Sequence, residues 1–260
     1  MFSNPNARRV MTALIFIISV SSSVSAAGYF WVGGDGNWSD ISHWATTSGG
    51  GATHAQAPTA NDDVYFDANS FSGPLQMVRL NTDVNFCRSM SWAGATGNPV
   101  FLGGRSVSLN VFGSLELINA MDYRFDGTVV FTGETDNNVD FRGNTAGYVL
   151  EFTGSGAWSL TGDVAIDSIL LFNEGTLRTS GRAVTTKYLR SDGNATRTLE
   201  LGASNITITA NTWRPYPNSY PTFNSQPLWL AARNLTSYAG TSTINLPGTT
   251  VYVLLELVLT

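Results

Sequence analysis

Six hard oxygen donors, Asp35, Asn37, Asp40, Asp62, Asp63 and Asp67, fall within one short stretch near the N-terminus, and from such a set a calcium site could be built. Asp35, Asp62 and Asp63 are the candidate metal ligands among them. The same residue types also serve tight turns, and here they alternate with Gly33, Gly34 and Gly36, so turn chemistry is the expected role and no cofactor other than calcium is considered. A second group, Trp213, Tyr216, Tyr220 and Trp229, lies in and on either side of the proline-rich run Arg214 to Pro221. Sugar rings stack on exposed aromatic faces, and binding residues are commonly housed on loops that leave a rigid scaffold. A loop tucked against that scaffold would use the same residues, so both readings stay open.

Catalytic constellations are sparse. Glycoside hydrolysis needs two carboxyl groups facing across a cleft, and Asp136 with Asp140, or Asp163 with Asp167, are available, but the sequence does not place either pair on a common face. The two histidines, His43 and His54, lack a metal-ligand partner at useful spacing, and no serine sits in a G-x-S-x-G elbow. The chain is therefore not expected to be an enzyme. Only 13% of residues are charged and the net charge is −5, so the basic stripe that nucleic acid requires is missing. Cys87 is the sole cysteine, which excludes an intrachain disulfide and reads as a small buried side chain in a strand.

The elements that must carry these residues are strands. Trp31, Trp38 and Trp44 sit among Gly, Asp and Asn, a composition suited to a small cap in which each ring is buried and its indole N–H finds a carbonyl. After Phe66 no helical period appears. Short alternating pairs recur instead, such as Val84/Phe86, Val107/Leu109/Val111, Val129/Phe131, Val139/Phe141 and Leu150/Phe152, separated by Gly, Asn, Asp or Thr clusters. Two all-β architectures fit, a parallel β-helix and a β-sandwich. Most junctions are single-glycine corners rather than two-residue hairpins, and a return of the pattern after about 20 to 28 residues favours the β-helix. Phe101, Phe112, Phe125, Phe131, Phe141, Phe152 and Phe172 are the expected inward ladder.

The pattern W-V-G-G-D-G-N-W-S-D-I-S-H-W, a Gly/Ser loop and then P-T-A-N-D-D-V-Y-F-D resembles the N-terminal motif of large secreted bacterial repeat proteins. The run Arg197 to Thr209, then Trp213 and Ala239 to Leu246, resembles a repeat of the same proteins. The resemblance implies a right-handed parallel β-helix of adhesin type and carries no common catalytic residue. Parallel β-helices also include polysaccharide lyases and hydrolases. Asn81-Thr82-Asp83 matches one of their tripeptides, but no Gly-His-Gly follows.

Arg8 and Arg9, the apolar run Val10 to Val20 and the small residues of Val24-Ser25-Ala26 form a signal-peptide pattern, with cleavage after Ala26 or, as a near alternative, after Ala27. The run is shorter than the roughly 20 apolar residues that span a bilayer, so no stable membrane span is expected after cleavage. The chain then divides into a signal peptide (1–26), a Trp/Gly capping motif (27–70), β-helix coils (71–212) and a loop excursion with a further coil (213–260). The closing segment Thr249 to Thr260 is hydrophobic, and the expected setting is a longer protein or a second chain that covers it. The expected function is a secreted or outer-cell-surface structural or adhesive module that contacts a glycan or another cell-surface component. The alternative is a polysaccharide-binding or polysaccharide-cleaving β-helix.

Overall fold

A computed structural model describes residues 26–190, 195, 197–200, 204–209, 235–238 and 243–245. They form a parallel β-helix. Strands of two to five residues alternate inward and outward side chains, and each pairs in parallel with the strand one coil earlier and one coil later. Four sheets run along the solenoid: an eleven-stranded sheet, a six-stranded sheet and two four-stranded sheets. In the early coils the chain passes from the first four-stranded sheet (Gly36–Asn37, Met77–Arg79, Val100–Gly103, Asp122–Phe125) to the six-stranded sheet and then to the long one. In later coils the second four-stranded sheet (Val164–Ala165, Val184–Thr186, Asn205–Ile208, Thr243–Asn245) takes the first place in that order. Beyond the cap, side-chain hydrogen bonds between neighbouring coils join residues 18 to 26 positions apart, close to the expected period.

Inward residues stack in rows. Leu109, Val129, Leu150, Leu170 and Leu189 form one row of the six-stranded sheet, and Cys87, Val111, Phe131, Phe152 and Phe172 form the next. The rings of Phe131 and Phe152 stack 5.1 Å apart. Corners bring backbone against backbone: a side chain at Gly133 would collide with the Phe112 carbonyl oxygen. One residue of the expected ladder and one alternating pair prove otherwise. Phe112 is only half-buried because it forms that corner. In the strand Val84–Cys87 the inward positions are Asn85 and Cys87, leaving Val84 and Phe86 outward at 49% and 39% exposure. Asn85 fixes this register, donating from Nδ2 to the Thr82 and Ser108 carbonyls and accepting the Thr82 hydroxyl at 2.7 Å.

The N-terminal end is closed differently. Gly28–Trp31 pairs in parallel with Asp63–Tyr65 on one side and antiparallel with Trp44–Thr47 on the other, and Gly50–Thr53 completes a hairpin at the end of the long sheet. An antiparallel hairpin covers the edge that a solenoid would otherwise leave open.

Candidate functional site

The cap gathers most of the residues that the sequence marks out. Trp31, Trp38 and Trp44 are all buried, with Trp44 at the centre, its ring edge-on to Tyr29, Trp31, Trp38 and Phe66. Trp31 Nε1 donates to the Gly34 carbonyl and Trp44 Nε1 to the Trp38 carbonyl, each at 2.7 Å. Trp31 also stacks on the His43 ring, whose Nδ1–H donates to the Val32 carbonyl. That ring lies where a Gly36 side chain would be, which explains the glycine. His54 repeats the arrangement, stacking 3.6 Å from Tyr29 and donating from Nε2 to the Gly28 carbonyl. Both histidines are therefore engaged as flat, hydrogen-bonded lids on aromatic rings.

The acidic residues of the cap are engaged separately. Asp35 accepts the Met77 N–H at 2.6 Å and so ties the cap to the following coil. Asp40 caps the single turn of 3-10 helix Ile41–His43, and the Ser42 hydroxyl and N–H hold its carboxyl below the ordinary range. Asp62 accepts the Thr59 N–H and hydroxyl. Asp63 forms a bidentate pair with Arg88 and also accepts the Ser89 N–H. Burial works to raise the Asp63 carboxyl, but the hydrogen bond and charge of Arg88 outweigh it and hold the group below its ordinary value. Asp35, Asp62 and Asp63 thus serve three different backbone segments. Among the described residues, no three His, Cys, Asp or Glu side chains come together as a metal site requires.

Along the coils the long sheet carries an ion-pair ladder. Arg142 reaches Glu116 at 2.8 Å and Asp140 at 3.1 Å, and Arg178 reaches Asp136 and Glu200. Asp136 and Asp140 therefore answer to different arginines. Asp163 accepts the Ala183 N–H, and the backbone N–H of Asp167 donates to the Gly147 carbonyl. Cys87 is buried, and burial pushes its thiol pKa up.

The outward rows of the six-stranded sheet have the opposite character. One row runs Val84, Ser108, Thr128, Val149, Ile169, Tyr188 and the next runs Phe86, Asn110, Val130, Glu151, Leu171, Arg190. More than half of these side chains are apolar; Val84 and Phe86 are exposed, Ile169 is buried and the others are half-buried, with neighbours within a row one strand spacing, about 4.8 Å, apart. No protein-family model, curated protein or solved structure matches this chain. Its function has to be read from the surfaces the coils present.

Sequence reasoning missed this face. The signal was there in the aliphatic run Ile169-Leu170-Leu171-Phe172, whose alternate members must point outward once the strand is four residues long. Trp213, Tyr216, Tyr220 and Trp229 lie outside the described residues, as do the signal-peptide pattern up to Ser25 and the closing segment Thr249 to Thr260. No helix among the described residues is long and apolar enough to cross a membrane.

Proposed function

We propose that this chain is an exported β-helix module that acts as a structural or adhesive element at the outer cell surface and contacts a glycan or another cell-surface component. The observation that carries this reading is the outer face of the six-stranded sheet, where Val, Leu, Phe and Tyr side chains stand among Ser, Thr and Asn, with Glu151 and Arg190 as its charged members. Apolar patches left on a surface mark interaction sites. Elsewhere the polar side chains largely satisfy one another: the cap carboxylates hold turns and the arginines of the long sheet bridge coils. Export is supported by the signal-peptide pattern and by the start of the first strand at Gly28, two residues beyond Ala26.

The test is retention of the exported protein on a glycan array and on whole cells, compared with a Val130→Lys variant. Loss of retention with an unchanged unfolding midpoint supports the reading. Retention by neither protein on any surface leaves only a structural role. The alternative, polysaccharide cleavage, has one observation in its favour, the meeting of Glu116, Asp140 and Arg142 from neighbouring coils. Release of reducing or unsaturated sugars from pectin or alginate, abolished by Asp140→Asn, would decide for it.

A further inference from the structure

The export reading leaves two cleavage points, after Ala26 and after Ala27, and the first rung of the solenoid separates them. The Ala27 carbonyl accepts the Asp63 N–H at 2.9 Å, one step before the parallel ladder that pairs Gly28 with Asp63 and Tyr29 with Val64. Ala27 also packs against the core. Loss of Ala27 with the leader would strip the Asp63 N–H of its acceptor, whereas removal of residues 1–26 leaves the rung whole.

The charge distribution of the cap points to the same bond. Within a strand the N–H and C=O of one residue lie on the same edge, so the Ala27 nitrogen faces the neighbour that its carbonyl faces, the segment from Thr59 to Asp63. The parallel ladder ends at the Gly28–Asp63 pair, so Ala27 and Asp62 are the residues that immediately precede it on the two segments, with Asp62 closing a turn through its N–H on the Thr59 carbonyl. Asp62 and Asp140 are the two buried carboxylates among the described residues, at 6% and 8% exposure. Asp140 has Arg142, whereas Asp62 makes no direct ion pair among the described residues: Thr59 donates to it, and Arg88, paired with Asp63, reaches it only through its field. A buried carboxylate is costly to leave without a counter-charge.

Resting on the export reading, we propose that the Ala26–Ala27 peptide bond is the processing site and that the ammonium left on Ala27 becomes the ionic partner of Asp62. The step is a hydrolysis catalysed by a leader peptidase of the exporting cell. Water supplies the oxygen that turns the Ala26 carbonyl into a carboxylate, the C–N bond breaks, and the nitrogen leaves as the protonated amine of Ala27. Processing thereby adds a positive charge beside Asp62, so removal of the leader completes the cap.

The experiment is N-terminal sequencing and intact-mass measurement of the protein recovered from the exported fraction of a bacterial host expressing the full chain. The expected N-terminus is Ala27. A start at Gly28 or beyond overturns the inference while leaving export intact, and a retained Met1 leader overturns both. Selective acetylation of the N-terminal amine then tests the ion pair. The expected result is a fall in unfolding midpoint of about 2–4 °C, absent in Asp62→Asn. No fall, or an equal fall in both proteins, overturns the pairing. Should Asp62→Asn fail to fold, the sequencing result and the acetylation of the unmutated protein still decide.

Discussion

Between Tyr29 and Phe66 nearly every large side chain has a task of its own, whereas between Val84 and Arg190 a side chain counts by its place in a row. In the cap, Trp44 touches four aromatic rings, His43 covers Trp31, and Asp35 and Asp63 each hold a different strand of the next coil. In the coils, Leu109, Val129, Leu150 and Leu170 occupy equivalent positions, and any of them could be exchanged for another aliphatic residue of similar volume at small cost. The contrast follows from geometry. A coil inherits its backbone partners from its neighbours on both sides, so it needs only apolar residues facing in. The first coil has a neighbour on one side alone, and side-chain hydrogen bonds and stacked rings must supply what the missing coil would have given.

The largest effect that can sharpen this contrast is expected from Trp44→Ala. Truncating a buried aromatic costs about 3–5 kcal/mol, and here it also frees the Trp38 carbonyl that the indole N–H satisfies. Chemical unfolding should show that loss, and a cost below about 1 kcal/mol would mean that the rings do not hold the cap. Asn85→Ala comes next. It leaves the Thr82 and Ser108 carbonyls without their donor in a partly buried setting, at about 1 kcal/mol for each bond lost. Equilibrium unfolding measures the cost, and an unchanged midpoint would contradict Asn85 as the residue that fixes the register of Val84–Cys87.

A smaller effect is expected from acid. The Asp63 carboxyl lies below its ordinary value in the folded protein because of Arg88, so the stabilisation is complete above about pH 4 and is lost as pH falls through the folded value. The pair is partly exposed, and the loss should be about 1 kcal/mol or less. Midpoints recorded from pH 6 to pH 2 should fall more steeply in the unmutated protein than in Asp63→Asn. A similarly small effect belongs to the coils: Arg142→Gln removes the exposed pair with Glu116 and the pair with Asp140, whose carboxylate keeps the backbone N–H of residue 142, and should cost about 1 kcal/mol by thermal unfolding. A larger cost there than at Trp44 would invert the comparison.

Legibility in the sequence follows the same division. The cap was readable as a motif because its tryptophans and glycines are irreplaceable one by one, and the indole-to-carbonyl bonds of Trp31 and Trp44 are of the kind expected. The β-helix was readable from its period. What escaped was face. Val84 and Phe86 look like an inward pair because they are apolar and alternate, yet a single buried Asn85, satisfied by its own turn, shifts the strand by one residue and turns them out. Turn chemistry is the expected role of the cap carboxylates, and Asp40 and Asp62 each hold a turn. Adjacent residues on a strand point to opposite sides, and Asp62 and Asp63 accordingly meet different partners. The seam placed after residue 70 is crossed by the Asp35–Met77, Trp38–Arg79 and Ser39–Asn81 hydrogen bonds, none of which has a sequence signal of its own.

Amide hydrogen exchange on the unmutated protein and on Trp44→Ala tests the central claim most directly, that the cap is a separately specified closure on a stack held together coil by coil. In a solenoid whose stability is a sum over neighbours, damage at one end stays near that end. Protection should fall in Gly28–Trp31, Asp63–Tyr65 and Met90–Ser91 and persist in Val149–Phe152 and Ile169–Phe172. An equal loss of protection in all five strands would contradict the account and make cap and coils one cooperative unit.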